Sequence, residues 1–210
     1  IDGGNNFQAS VNFNGLVAGN YNIIVQDANG CLDSIIATVN NALAPVISST
    51  PVDDVTCNSG TNGSITVIAN GGTGALQFSH DNGVTFQAGN VFSNLPAGLY
   101  EIVVIDANGC ITTSTVTITE PPAVVFSVNP SLETCGNSNG SLVIIGSGGN
   151  GTLQYSIDGG SSFTSSSSFN NLAAGTYSIV VQDAFGCIET GTANVTNAPA
   201  PSISNVSSTD

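Results

Sequence analysis

The chain has 210 residues and 21.0 kDa, with 14 acidic residues, no Lys, no Arg and a single His, for a formal charge of −14. Without cations it cannot neutralise phosphates, which excludes nucleic acid and direct contact with an anionic membrane, and it lacks the Lys of a Schiff base and the Arg fork. Hydrophobic residues make up 40% and the mean hydropathy is +0.26, so the chain collapses rather than staying disordered, and no apolar run approaches the roughly 18 residues of a membrane span.

Residues 1–44 read as the C-terminal part of a truncated repeat. Ile1-Asp2-Gly3-Gly4 matches Ile157-Asp158-Gly159-Gly160, so the first residue falls mid-repeat. With no initiator Met and no basic, apolar leader, an internal piece of a longer array is expected. Leu16-Val17-Ala18-Gly19-Asn20-Tyr21 and Val25-Gln26-Asp27-Ala28-Asn29-Gly30-Cys31 follow, and Ala42-Leu43-Ala44-Pro45 leads out.

Residues 45–122 form the first complete repeat. Cys57 opens it and Asn62-Gly63-Ser64 begins a run alternating hydroxyl and aliphatic groups. Leu95-Pro96-Ala97-Gly98-Leu99-Tyr100 lies 79 residues beyond its first copy, and Val104-Ile105-Asp106-Ala107-Asn108-Gly109-Cys110 closes the repeat. Residues 123–200 form the second: Cys135 opens it, and Asn139-Gly140-Ser141, Leu172-Ala173-Ala174-Gly175-Thr176-Tyr177 and Val181-Gln182-Asp183-Ala184-Phe185-Gly186-Cys187 follow at offsets of 77. Residues 201–210 are read as the first strand of a further repeat. Glu120-Pro121-Pro122-Ala123 and Asn197-Ala198-Pro199-Ala200-Pro201 are short joints that proline stiffens.

Within a repeat the period is two. Tyr100, Ile102 and Val104 share one face of a strand, as do Tyr177, Ile179 and Val181. Such β-branched alternation fits half-buried antiparallel strands, and Asn-Gly pairs supply the positive φ of tight turns. The expected fold is all-β: tandem immunoglobulin-like antiparallel β-sandwich modules of about 78 residues in an extended rod. Tyr21, Tyr100 and Tyr177, each just after a Gly-bearing turn, are expected to form tyrosine corners, their hydroxyls bonded to upstream backbone.

One disulfide per module is expected. Cys57 and Cys110 bracket one repeat, 53 residues apart, and Cys135 and Cys187 the next, 52 apart. The predicted pairs are therefore Cys57–Cys110 and Cys135–Cys187, with Cys31 joined to a cysteine before residue 1. Zinc is disfavoured because close Cys pairs are missing and His80 is unrepeated. Disulfides place the chain in an oxidising, extracellular setting.

These elements together resemble the SprB repeat across all three modules, from Cys135 through Asn139-Gly140-Ser141 and Tyr155-Ser156-Ile157-Asp158-Gly159-Gly160 to Asp183-Ala184-Phe185-Gly186-Cys187. Phe185 departs from the Asn of the closing turn, and Ser79-His80-Asp81-Asn82 from Ser-Ile-Asp-Gly. The resemblance implies tandem arrays in very large cell-surface adhesins of gliding bacteria, exported by type IX secretion, with an immunoglobulin-like fold and roles in adhesion or gliding motility. It also implies an O-glycosylation pattern at Asp33-Ser34-Ile35, with Ser34 the acceptor.

Two acids recur per module: Asp27, Asp106 and Asp183 in the closing turn, and Asp2, Asp81 and Asp158 in the Ile-Asp-Gly-Gly turn. They read as Asx-turn residues, with calcium at Asp27, Asp106 and Asp183 as the alternative; no Asp-x-Asp-x-Asp run gathers the six to eight oxygens calcium takes. No other cofactor is expected. The only His, His80, stands where Ile1 and Ile157 stand, so no hydrolytic triad is available and the chain reads as non-catalytic. The expected function is a stalk or filament segment of a secreted adhesin, its expected partners the neighbouring repeats and, in a filament or bundle, further copies of itself. The alternative is a glycan- or surface-polymer-binding module acting by avidity. It is disfavoured by 6% aromatics, no Trp, and the reading of Phe86, Phe92, Phe163 and Phe169 as core.

Overall fold

A computed structural model describes residues 5–199 and 201–202. Asp2 and most of the strand expected at 201–210 lie outside them. The described residues contain strands and turns and no helix. In chain order the strands are β1 (Gly19–Gln26), β2 (Leu32–Val39), β3 (Pro45–Ser49), β4 (Val52–Asp53), β5 (Gly63–Thr66), β6 (Ile68–Gly71), β7 (Gln77–Ser79) and β8 (Val91–Leu95), then β9 (Gly98–Ile105), β10 (Ile111–Ile118), β11 (Val125–Ser131), β12 (Gly140–Ser147), β13 (Gln154–Ser156), β14 (Ser168–Leu172), β15 (Gly175–Gln182) and β16 (Ile188–Val195). The ladders β1–β2, β3–β6, β4–β5, β5–β8, β7–β9, β11–β12, β12–β14, β13–β15 and β15–β16 are antiparallel.

The chain divides into two compact units, one of Ile1–Ser49, Ile68–Ala88 and Ile102–Ser114, the other of Thr50–Val67, Gly89–Glu101 and Thr115–Asp210. The second unit contains the most regular part of the fold. There β11-β12-β14 and β13-β15-β16 form two three-stranded sheets. Leu142 and Ile144 from the first meet Ile179, Val181, Ala193 and Val195 from the second in one core, with Val124 at its edge. The alternation read from the sequence explains this packing. In β12 every second residue from Gly140 to Ile144 is buried, and Ile179 and Val181 point to the same face of β15. This part is a β-sandwich. The same unit holds β4-β5-β8, with Ile65, Val67, Phe92 and Leu95 buried.

The first unit holds the β1–β2 hairpin, in register from Gly19↔Val39 to Gln26↔Leu32, and the β3–β6 pair. Here β7 pairs with the last residues of β9 through Phe78↔Val104. Where β11 and β12 run unbroken, the preceding repeat has β3 and β4, and β5 and β6, as separate strands. Ser48 bulges from the β3–β6 ladder, and the next strand begins only after Pro51, which has no N–H to offer.

Phe86 and Phe163 do not join the core. Phe92 is buried, but Phe86 and Phe163 are exposed, each lying over a glycine (Gly83, Gly160) in the turn after β7 or β13. The positive φ of these turns lifts the aromatic off the sheet, which strand alternation alone does not foresee.

Candidate functional site at the proline joint

The closing cysteines sit in three turns of one construction. In each, a single Asp oxygen accepts two backbone N–H groups: Asp27 Oδ1 from Asn29 and Cys31 at 2.9 and 2.8 Å, Asp106 Oδ1 from Asn108 and Cys110 at 2.9 and 2.8 Å, and Asp183 Oδ1 from Phe185 and Cys187, both at 2.9 Å. Gly30, Gly109 and Gly186, at φ of 86°, 82° and 87°, complete the reversal. The other oxygen works at longer range. Asp106 Oδ2 accepts the Thr73 N–H at 2.8 Å and Asp183 Oδ2 the Asn150 N–H at 2.7 Å, tying a glycine-rich loop to the closing turn.

These bonds set the electrostatics. The Thr73 N–H, against burial and with the amides of Cys110, Asn108 and Gly109, holds the Asp106 carboxyl below its ordinary range. Burial pulls the Asp183 carboxyl up, but the amides of Asn150, Cys187, Phe185 and Gly186 outweigh it and leave the group low. Asp81 and Asp158 serve their own turns, bonded at 2.6 Å by Ser79 and Ser156 and again by Thr85 and Ser162, whose hydroxyls hold both carboxyls far below the usual range. The turn aspartates are thus occupied by backbone and hydroxyl donors. No group of three or more His, Cys, Asp or Glu placed to hold a metal occurs among the described residues.

The opening cysteines follow a Thr–Asn clamp. Asn62 Oδ1 accepts the Thr56 N–H at 3.1 Å while its Nδ2 donates to Thr56 Oγ1 at 2.9 Å. Asn139 makes the same two bonds to Thr134, at 2.8 and 2.7 Å. The loops differ by one residue, and Cys135 itself adopts φ of 56°.

The cysteine pairing differs from both expected bridges. Cys57 bonds Cys187, with S–S 2.09 Å and Cα–Cα 5.5 Å, across 130 residues of sequence. Cys31, Cys110 and Cys135 are free, the first and last exposed. Neither Cys57–Cys110 nor Cys135–Cys187 forms. The reason is visible in the sandwich of the second unit. Cys187 immediately precedes β16, whereas Cys135 follows Glu133, whose N–H donates to Thr196 O just beyond the other end of that strand. Eight residues at about 3.3 Å each separate the two ends by roughly 25 Å, and a disulfide spans Cα atoms at most about 7 Å apart. Opening and closing cysteines of one repeat lie at opposite ends of it. In the preceding repeat Cys110 immediately precedes β10, whereas the Val55 N–H, two residues before Cys57, donates to Thr119 O just beyond the other end of that strand.

What brings Cys57 to Cys187 is the joint Glu120-Pro121-Pro122-Ala123. On one side Asn58 Nδ2 donates to Pro121 O at 3.1 Å and the Ser59 N–H to Glu120 Oε2 at 2.6 Å, so the opening turn grips the linker. On the other, the Gly149 N–H donates to Pro122 O at 2.8 Å. Gly148, at φ of 81°, lies so close to Ala123 that a Cβ would overlap its carbonyl oxygen, and a Cβ on Gly149 would meet Asp183. The linker is therefore held between an opening turn and the loop that Asp183 anchors. The Sγ of Cys187 lies 3.3 Å from Thr56 O. A shallow groove of about 390 Å³ follows the joint, lined by Cys57, Pro122, Val124, Asp183, Cys187 and Glu189 among others. Asn58 and Gly148 were not foreseen as joint residues, and Glu120 was placed in the linker without a bonding role. The recurrence of Gly71-Gly72 as Gly148-Gly149, 77 residues apart, is the signal that could have found Gly148.

The remaining sites are simply placed. Tyr21, Tyr100 and Tyr177 each donate a hydroxyl hydrogen bond to the carbonyl four residues upstream, at Val17, Pro96 and Ala173, at 2.7, 2.8 and 2.9 Å. Ser34 is exposed on β2, its N–H bonded to Asp33 Oδ1 at 2.8 Å.

Residues 49–85 match the family model of the SprB repeat. This stretch runs from the end of β3 past β7 and includes Cys57 and the Thr56–Asn62 clamp. No curated protein matches the sequence. Among solved structures, the insect immune protein hemolin, described with a new domain arrangement and implications for homophilic adhesion, aligns at 15% identity and a TM-score of 0.35 over 85% of this chain. The alignment spans 56% of the hemolin chain.

Proposed function

We propose that the chain is a force-bearing stalk segment of a large secreted cell-surface adhesin, non-catalytic, built from immunoglobulin-like repeats at 45–122 and 123–200 with the closing part of a repeat at 1–44. The observation that carries this reading is the joint. A proline linker gripped from both sides and bridged by Cys57–Cys187 resists both bending and opening. The SprB-repeat match, the all-β fold and the disulfide agree with an exported surface protein. The assignment of 1–44 draws support from its hairpin, which has the strand lengths and Asp-x-x-Gly-Cys turn of β9–β10 and β15–β16. Val25 there is 61% exposed, whereas its counterparts Val104 and Val181 are at 0%, so its face suits a second sheet. The absence of Lys and Arg leaves trypsin-like proteases no site, which suits an exposed appendage. Adhesion or gliding motility, and export by type IX secretion, follow from the repeat family as the natural setting.

A second reading, weak glycan binding summed along the array, is favoured by one observation: Phe86 and Phe163 are exposed at equivalent positions of consecutive repeats. Spacer exchange in the parent adhesin separates the two. Replacing the repeats with an unrelated stiff spacer of equal length preserves surface attachment if they are a stalk, and a flexible spacer of that length does not. Loss of attachment with both spacers contradicts the stalk and supports direct binding.

A further inference from the structure

We propose that Cys31, Cys110 and Cys135 are bonding sites for adjacent repeats in the register that Cys57–Cys187 displays, the opening cysteine of each repeat joined to the closing cysteine of the next. This rests on the array reading above. Cys135 takes the closing cysteine of a following repeat, Cys110 the opening cysteine of the preceding one, and Cys31 that of the one before.

A single rule then accounts for all five cysteines. The bonded pair is the only opening–closing pair in this register that the sequence contains, and the three free thiols are those whose partners the register assigns to other repeats. The surroundings repeat as well. Cys31 and Cys110 are presented by the same aspartate turn as Cys187, and Cys135 follows the same Thr–Asn clamp as Cys57. The receiving joint is repeated too: Gly71 faces the Ala44 carbonyl, less closely than Gly148 faces that of Ala123, and Asp106 anchors the Thr73 loop as Asp183 anchors that of Asn150. In each bond two thiols give up two protons and two electrons to the disulfide of a thiol–disulfide oxidoreductase in the exporting compartment, which leaves as its dithiol.

The mechanical consequence is specific. Consecutive staples overlap, so a covalent path along the array can step from an opening cysteine through sulfur to the closing cysteine of the next repeat, then through backbone to another opening cysteine. Only 25 residues separate Cys110 from Cys135, and 26 separate Cys31 from Cys57. Under tension an unfolded pair of repeats is thereby limited to about 90 Å of free backbone at roughly 3.5 Å per residue, where an unstapled pair would release some 500 Å.

The test is a cysteine map of the full-length protein from its native surface. Free thiols are blocked with iodoacetamide before unfolding, and the protein is cleaved at Asp and Glu, because trypsin has no site in these repeats. The expected result is the Cys135 peptide joined to the closing cysteine of the following repeat and the Cys110 peptide joined to the opening cysteine of the preceding one. Alkylated Cys110 or Cys135, a Cys110–Cys135 link, or a Cys135–Cys187 link overturns the proposal. A full-length protein with no repeats flanking these would instead defeat the array reading on which it rests, and spacer exchange reports on stalk duty whatever the map shows.

Discussion

At the residue scale, the repeated polar side chains act as backbone ligands. Each of the three corner tyrosines satisfies a phenol against a carbonyl four residues upstream, and a neutral hydrogen bond of this kind contributes about 1 kcal/mol. Tyr177→Phe is therefore expected to lower unfolding stability by about 1 kcal/mol in urea denaturation, with the slope of the transition unchanged. The aspartates set the acid limit. Asp106 and Asp183 are held below their ordinary values in the folded chain, so their contribution is complete above the unfolded carboxyl range near pH 4 and disappears as pH falls through the folded values. In that window the unfolded state binds more protons, and stability rises with pH. Thermal melts from pH 7 to 2 should show a plateau down to about pH 5 and a steep decline below pH 4, and Asp106→Asn with Asp183→Asn should flatten that decline. An unchanged acid limb in the double variant would separate these turns from acid stability. Turn aspartates and corner tyrosines were legible in the sequence because the bonds that use them are local, closing within two to four residues.

At the element scale, strands were legible from period-two alternation, which the buried residues of β12 and of the end of β16 follow, whereas β15 buries Val180 as well as Ile179 and Val181. Two features were not. The split of β3 from β4 depends on a bulge at Ser48 and the missing donor of Pro51, a backbone event that side-chain pattern does not record. The outward turn of Phe86 and Phe163 depends on the positive φ of the glycines beneath them. The joint glycine gives the sharpest element-scale expectation. Gly148→Ala would place a methyl group onto the Ala123 carbonyl at a φ costing about 1–2 kcal/mol for an L-residue. A loss of at least about 2 kcal/mol in denaturant unfolding is expected, larger than for Gly109→Ala, whose Cβ meets open space although its φ is equally positive. Equal losses at the two positions would mean that backbone conformation alone, and not contact with the linker, makes Gly148 necessary.

At the scale of the whole molecule, the disulfide register is what sequence spacing could not decide. Separations of 53 and 52 residues within repeats suggested bridges that close each repeat on itself. Pairing depends on which ends of a sandwich face each other, and the two cysteines of one repeat stand a strand length apart. The linker brings the end of one repeat that bears Cys57 to the end of the next that bears Cys187. Such a staple shields the enclosed chain from force. Pulling the oxidised chain by its termini in an atomic force microscope should leave the 130-residue span behind the bond unextended. Reduction should then add about 450 Å of contour length at roughly 3.5 Å per residue. A gain nearer 180 Å, the length of a bridge closing one repeat alone, would contradict the shared staple.

The most direct measurement is a non-reducing digest of this chain at Asp and Glu, which separates all five cysteines into different peptides. The account predicts that peptide 54–80, carrying Cys57, remains joined to peptide 183–189, carrying Cys187, until reductant is added. Peptide 54–80 joined instead to peptide 106–120, carrying Cys110, would contradict it.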